Sequence, residues 1–95
     1  MSTRVAIICG GRSSEHEISC TSAGGVLSAI DRALYEPVVI GITKSGSWVL
    51  VPDGTQLSIV DGKLPVIPEA GQSVTISPDG FFCNGQSLNI DLVFP

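Results

Sequence analysis

The chain reads as an α/β fold, and three observations in its first half carry that reading. Residues 5–9 are an unbroken apolar run, Val-Ala-Ile-Ile-Cys, cut off sharply by Gly10-Gly11. From Glu15 onward apolar residues recur at three- and four-residue steps, and residues 37–43 form a second apolar run. Strand, amphipathic helix, strand is a βαβ unit, which makes the two strands parallel neighbours joined by a crossover that is nearly always right-handed.

Each element follows from its residues. The first run shows no polar alternation and is rich in β-branched side chains, which suits a strand covered on both faces. Ser14-x-x-Glu17 then has the form of a capping box, with the serine hydroxyl accepting from a free backbone N–H and the glutamate reaching back. Cys20, Ala23, Leu27, Ile30 and Leu34, with Val26 beside them, make one apolar stripe along the helix. Gly24-Gly25 interrupts it at a cost of about 1 kcal/mol each relative to alanine. Close packing or local flexibility are the two reasons available for that pair. The helix is expected to end around Ala33, ahead of Tyr35-Glu36-Pro37.

Residues 37–43 are the second strand, Lys44-Ser45-Gly46-Ser47 a turn, and residues 48–51 a short strand. Residues 52–72 are rich in Pro, Gly and Asp without a period and read as an irregular insertion. Residues 73–77 alternate, Asp79-Gly80 turns, residues 81–83 extend and Asn84-Gly85 turns again. Those dipeptides tolerate positive φ in tight hairpins, so the stretch is a small antiparallel meander. Residues 90–94 are a last strand candidate. In open α/β sheets ligands bind at the carboxyl ends of strands; this strand stops where its loop should begin, so the chain reads as interrupted.

The bulk numbers narrow the function. Ninety-five residues make one domain at most, and 43% hydrophobic against 15% charged residues can bury a core. A formal charge of −4 with five Lys and Arg leaves no basic stripe, so nucleic acid is not expected as a partner. Three cysteines, Cys9, Cys20 and Cys83, without a C-x-x-C pair, suit neither a disulfide framework nor a zinc site and fit a reducing compartment. No run has the form of a signal peptide or the roughly 20 apolar residues of a membrane span. The expectation is a soluble, cytoplasmic domain without a membrane partner.

The segment with chemical content is Gly10-Gly11-Arg12-Ser13-Ser14-Glu15-His16-Glu17-Ile18-Ser19. Two glycines let the backbone turn tightly and approach a ligand, and the helix start offers unpaired N–H groups. A phosphate loop fails on spacing, since neither G-x-G-x-x-G nor G-x-x-x-x-G-K-[ST] is matched. Glu15 falls at the helix start, where the dipole favours a carboxylate. On residue physics alone it is either a surface acid or the holder of a substrate ammonium, with the surface acid the simpler account. Glu17 is explained by the capping box and Arg12 as surface charge. His16, a lone histidine, is expected to be solvated or locally bonded rather than a metal ligand. Ser13 and Ser14 lack a His–Asp constellation for nucleophilic catalysis. Trp48, Phe81 and Phe82 are read as core rather than pocket.

Residues 5–19 resemble the start of D-alanine–D-alanine ligases, whose pattern is an apolar strand followed by Gly-Gly-x-Ser-x-Glu-x-x-[IV]-Ser. Ser22-Ala23 and Ile40-Gly41-Ile42-Thr43-Lys44-Ser45-Gly46-Ser47-Trp48-Val49-Leu50 agree as well. Asp91-Leu92-Val93-Phe94-Pro95 looks like the family strand that leads into a His-Gly segment. The resemblance covers most of the chain and is least informative over residues 52–88.

The resemblance implies a Rossmann-like pre-ATP-grasp domain, with a mainly parallel sheet, a small antiparallel insertion and truncation at the end. Residues 1–95 would be the amino-terminal substrate-binding domain, with the ATP-grasp domains absent. Full-length relatives of this kind use ATP and Mg²⁺ to phosphorylate one D-alanine, and the amine of a second attacks the acyl phosphate. The dipeptide feeds peptidoglycan synthesis. By the same resemblance Glu15 carries the catalytic assignment by holding the first D-alanine, and Gly10, Gly11 and Ser13 join it as substrate-binding residues; no metal ligand is assigned. The implied partners are D-alanine, the remaining domains of the same chain and a second copy in a homodimer when full length. ATP and Mg²⁺ belong to the full-length enzyme, and the 95 residues alone are expected to bind neither and to be inert. Two alternatives are a freestanding nucleotide-binding module, which the glycine spacing disfavours, and a non-catalytic binding or dimerisation module using an exposed sheet edge.

Overall fold

A computed structural model describes residues 3–52, 57, 65–69 and 71–94. Eight elements follow in chain order: β1 (Thr3–Gly10), α1 (His16–Ala29), β2 (Tyr35–Ile42), β3 (Trp48–Val51), β4 (Gln72–Ser77), β5 (Gly80–Cys83), β6 (Gln86–Ser87) and β7 (Leu92–Phe94). The strands form one seven-stranded sheet in the order β6-β5-β4-β3-β2-β1-β7. β1 pairs in parallel with β2 from Thr3↔Tyr35 to Gly10↔Ile42, and in parallel with β7 on its other side. β2 to β6 are linked by antiparallel pairings. The sheet is therefore mixed rather than mainly parallel, with two parallel pairings and four antiparallel ones among the described residues, because the expected meander is not a separate insertion but continues the sheet outward from β3.

Alternation along the strands explains why residues 5–9 are apolar throughout. Val5, Ile7 and Cys9 face α1, together with Val39, Val49 and Val51, and pack on Cys20 and Ala23 of the helix. Ala6 and Ile40 face the other way, both fully buried, and Ile8, Val38, Trp48 and Leu50 pack beside them. Full burial of a large aliphatic side chain such as Ile7 or Ile40 contributes roughly 1.5–3 kcal/mol. No second helix covers that second face among the described residues. It is closed by Val74, Phe81, Leu88 and Ile90, brought across by the meander and the segment after it. Trp48 and Phe81 are partly buried against this cluster, in line with the core reading, whereas Phe82, also half-buried, belongs to neither cluster.

Arg4 fastens that closing segment. Its Nε donates to the Leu88 carbonyl at 2.7 Å, its backbone N–H donates to Asp91 Oδ2 at 2.8 Å, and Asp91 N–H donates to the Arg4 carbonyl at 2.8 Å. The last strand begins only after this exchange, at Leu92 rather than residue 90. Leu92, Val93 and Phe94 remain about half exposed. With Val5, Ile7, Val26, Ala29 and Ile30 they line an apolar groove of about 480 Å³.

Three expectations about the helix are corrected. Ser14 and Glu17 form no capping box: Glu15 is the N-cap, without a side-chain cap bond. Around the helix start Glu15 N–H donates to Ser13 Oγ at 3.2 Å and His16 N–H to the Ser13 carbonyl at 3.2 Å. Glu17 turns instead to Lys44 Nζ at 3.3 Å. The helix also ends at Ala29, not Ala33, with Ile30 extended at ψ 140. Asp31 captures the following backbone, its side chain accepting from Ala33 N–H and its carbonyl from Leu34 and Tyr35 N–H. Leu34 consequently leaves the apolar stripe and is 59% exposed.

Gly24 has its reason in packing. A Cβ there would collide with the Leu57 carbonyl oxygen, whereas a Cβ at Gly25 would meet open space. Within the expected irregular insertion, the described residues 57 and 65–69 carry no helix or strand. Most of the remainder of that stretch lies outside the described residues. Among the described residues no helix is long and apolar enough to cross a membrane.

Candidate functional site

The glycine loop leaves the carboxyl end of β1, the strand that lies between β2 and β7. The chain goes from β1 through α1 to one neighbour, while β7 flanks the opposite side, so the loop lies at the switch point where open α/β sheets bind ligands. Gly10 has φ 91 and Gly11 φ 117, both in the region that disfavours side chains. At Gly10 a Cβ would collide with the Ile42 carbonyl, so both backbone conformation and space require glycine there.

Hydrogen bonds hold the loop at several points. Gly11 N–H donates to the Ile42 carbonyl at 2.7 Å, tying the loop to the end of β2. Gly10 N–H donates to Ser19 Oγ at 3.0 Å, tying it to the first turn of α1. Ser13 Oγ accepts the Glu15 N–H at 3.2 Å, which sets the backbone from which the Glu15 side chain projects. The structure therefore brings Gly10, Gly11, Ser13 and Glu15 into one loop, with Ser13 and Glu15 exposed. The Glu15 carboxylate sits at the positive end of the α1 dipole and makes no capping bond.

His16 takes the locally bonded arm of the sequence expectation. It is 0% exposed, not solvated. Nδ1 lies 2.7 Å from the Gly11 carbonyl, and Nε2 accepts the Ile67 backbone N–H at 3.0 Å. An N–H faces Nε2, so the ring proton resides on Nδ1 and is donated to Gly11. The local bond matches expectation; the bond to Ile67 is not readable from spacing.

A second set of polar groups lies in the turn between β2 and β3. Thr43, also 0% exposed, accepts Ser47 N–H on Oγ1 at 3.0 Å. Thr43 Oγ1 also lies 2.9 Å from Ser45 Oγ. Ser45 Oγ donates to Glu69 Oε1 at 2.6 Å, and this bond holds the Glu69 carboxyl below its ordinary range. Lys44 does the same for Glu17 through its hydrogen bond. Arg12 lies over this turn, its Cδ 2.8 Å from where a Gly46 Cβ would be, in keeping with a surface role. Ser19 and Thr43 received no role from the sequence; Ser19 stood at the end of the glycine motif, and that position was the available signal.

The apolar groove between α1 and β7 does not contain Gly10, Gly11, Ser13 or Glu15. Among the described residues no three His, Cys, Asp or Glu side chains are arranged to hold a metal ion. The chemistry available at the loop is capture: an exposed carboxylate at the helix start, following a backbone turn made by two glycines.

The family profile described as D-ala D-ala ligase N-terminus matches residues 4–95. The chain belongs to that family. A D-alanine–D-alanine ligase from Kineococcus radiotolerans is 51% identical over 76 residues, which is 80% of this chain and 20% of that protein. One from Mycolicibacterium smegmatis is 45% identical over 105 aligned positions, covering 98% of this chain and 28% of that protein. Among solved structures, the VanG D-Ala:D-Ser ligase from Enterococcus faecalis superposes with a TM-score of 0.79 at 30% identity, over 100% of this chain and 29% of that one. The D-alanine–D-alanine ligase from Coxiella burnetii gives 0.78 at 26% identity, over 99% and 28%. The α/β fold of this ligase amino-terminal domain is thus shared over its whole length, and the chain spans well under a third of these relatives.

Proposed function

We propose that residues 1–95 are the amino-terminal substrate-binding domain of an ATP-dependent D-alanine–D-alanine ligase, and that Glu15 holds the ammonium group of the first D-alanine. The observation that carries this reading is the family match combined with the place of Glu15: exposed, at the start of α1, on the loop at the switch point of the sheet. A fixed carboxylate there orients the substrate without taking part in phosphoryl transfer, where positioning dominates. Gly10 makes the turn, Gly11 with its open Cβ position lets the backbone come close to the ligand, and Ser13 orients Glu15 by accepting its backbone N–H.

On this reading ATP and Mg²⁺ are handled by further domains of a longer chain, which works in the cytoplasm as a homodimer and supplies a dipeptide to peptidoglycan synthesis. No step involving either cofactor is assigned to the residues present here. The alternative of a non-catalytic binding or dimerisation module draws on the half-exposed Leu92, Val93 and Phe94.

Glu15→Gln in a full-length ligase carrying this sequence tests the proposal. Loss of a charge-assisted hydrogen bond should raise KM for the first D-alanine by about 10- to 100-fold, with KM for ATP within about twofold of wild type. Unchanged first-site kinetics would remove Glu15 from the site.

A further inference from the structure

We infer that His16 is a positioning residue for the first-substrate site, fixing the Gly11 carbonyl and with it the course of the loop that presents Glu15. This rests on the reading of Glu15 given above and adds to it a residue that touches no substrate.

The physical case begins with cost. A buried imidazole must have both ring nitrogens paired, whereas an apolar side chain would fill the same space with no such demand. Here both are paired, and both partners are backbone groups: the Gly11 carbonyl at 2.7 Å and the Ile67 N–H at 3.0 Å. Among the described residues nothing lies within 4 Å of where a Gly11 Cβ would be, so no side chain packs against that side of the residue. Its backbone has φ 117, and both of its polar groups are hydrogen-bonded. Gly11 N–H is held by the Ile42 carbonyl at 2.7 Å and its carbonyl by His16, so the residue is clamped on both sides. His16 follows Glu15 directly and opens α1. One rigid ring therefore links the bend of the loop, the start of the helix and the segment around Ile67, with Glu15 between the two ends of the clamp. Support of this type keeps a binding group within the small tolerance that orientation requires.

Two near-isosteric replacements separate the two bonds. The amide nitrogen of asparagine falls near the Nδ1 position, so His16→Asn keeps a donor for Gly11 and drops the acceptor for Ile67. The amide of glutamine reaches the Nε2 position, so His16→Gln keeps an acceptor for Ile67 and leaves the Gly11 carbonyl without its donor. Each variant unpairs one backbone group, and both should lower the melting temperature by similar amounts. In the full-length ligase, His16→Gln should raise KM for the first D-alanine by about tenfold with KM for ATP unchanged, and His16→Asn should stay within about twofold of wild type.

Equal effects of the two variants on KM, no effect of either, or the reverse order would each overturn the inference. Glu15→Gln run in parallel keeps the two claims apart. If it leaves the first site unaltered, the reading of Glu15 fails; if it impairs that site while His16→Gln does not, only the role of His16 fails. Should neither His16 variant fold, wild-type enzyme labelled with ¹⁵N-histidine decides. The inference requires the Nδ1–H form and a change in its ring shifts when D-alanine binds, and the absence of either overturns it.

Discussion

Nε2 of His16 lies 3.0 Å from the backbone nitrogen of Ile67, a hydrogen bond between residues 51 positions apart in the chain. The same Ile67 places its side chain against two glycines. A Cβ at Gly41 would come within 2.7 Å of Ile67 Cγ2, and one at Gly10 within 3.1 Å of Cγ1. Through its backbone Ile67 completes the histidine, and through its side chain it closes the α1 face of the core beneath the loop.

Ile67 should therefore rank among the more sensitive positions. It is 1% exposed, and Ile67→Ala leaves a cavity against residues that have no side chain with which to fill it. A loss of about 2–5 kcal/mol is expected, measured as a lower midpoint in chemical denaturation. A loss under about 1 kcal/mol would mean that the segment is not packed as described.

Gly24 and Gly25 should respond in opposite directions to the same substitution. Gly24→Ala drives a methyl group into the Leu57 carbonyl, whereas Gly25→Ala places one in open space. The first is expected to destabilise by about 1–3 kcal/mol and the second to stabilise by about 0.4–1 kcal/mol. Comparison of the two denaturation midpoints checks both. Equal shifts would remove the helix–Leu57 contact as the reason for the first glycine.

Cys9 and Cys20 should resist alkylation while the chain is folded. Burial pushes the Cys9 thiol up to about 12 and raises Cys20 as well. The reactive thiolate is therefore scarce, and both side chains are inaccessible, at 2% and 0% exposed. Iodoacetamide at pH 8, read by peptide mapping, should modify them only after denaturation. Rapid labelling of the native chain would contradict their place in the core.

The same burial gives an alkaline limit to stability. A raised thiol pKa means that the folded state holds its proton more tightly than the unfolded state. The associated stabilisation is complete below the ordinary value of 9.0 and is lost as pH rises through about 12. Denaturation midpoints should fall across that window, and Cys9→Ala should flatten the slope there. An equally steep fall in Cys9→Ala would assign the alkaline transition to other groups.

Much of the fold was legible from residues near one another in the chain. The unbroken apolar run 5–9 indicated a strand covered on both faces, and Ala6 and Ile7 are indeed buried on opposite faces. Trp48–Val51 was read to its true limits, and Asn84-Gly85 makes the tight turn expected, with φ 53 and 77. In the candidate site, Gly10 and Gly11 were marked as loop-forming by residue type alone. Glu15, by contrast, was separated from an ordinary surface acid only by the family resemblance, because a carboxylate at a helix start suits either role.

The sequence by itself determined the βαβ start, the glycine loop, the short antiparallel strands and the family, since strand period, turn preference and motif spacing depend on close neighbours in the chain. Only the tertiary structure decided that, among the described residues, the meander and the segment after it rather than a second helix cover the far face of the sheet, and that α1 stops at Ala29. It also decided that Gly24 meets Leu57 and that His16 is buried between Gly11 and Ile67. Each of these depends on a donor, acceptor or apolar surface meeting a partner that packing supplies, and the identity of that partner is not written in local periodicity.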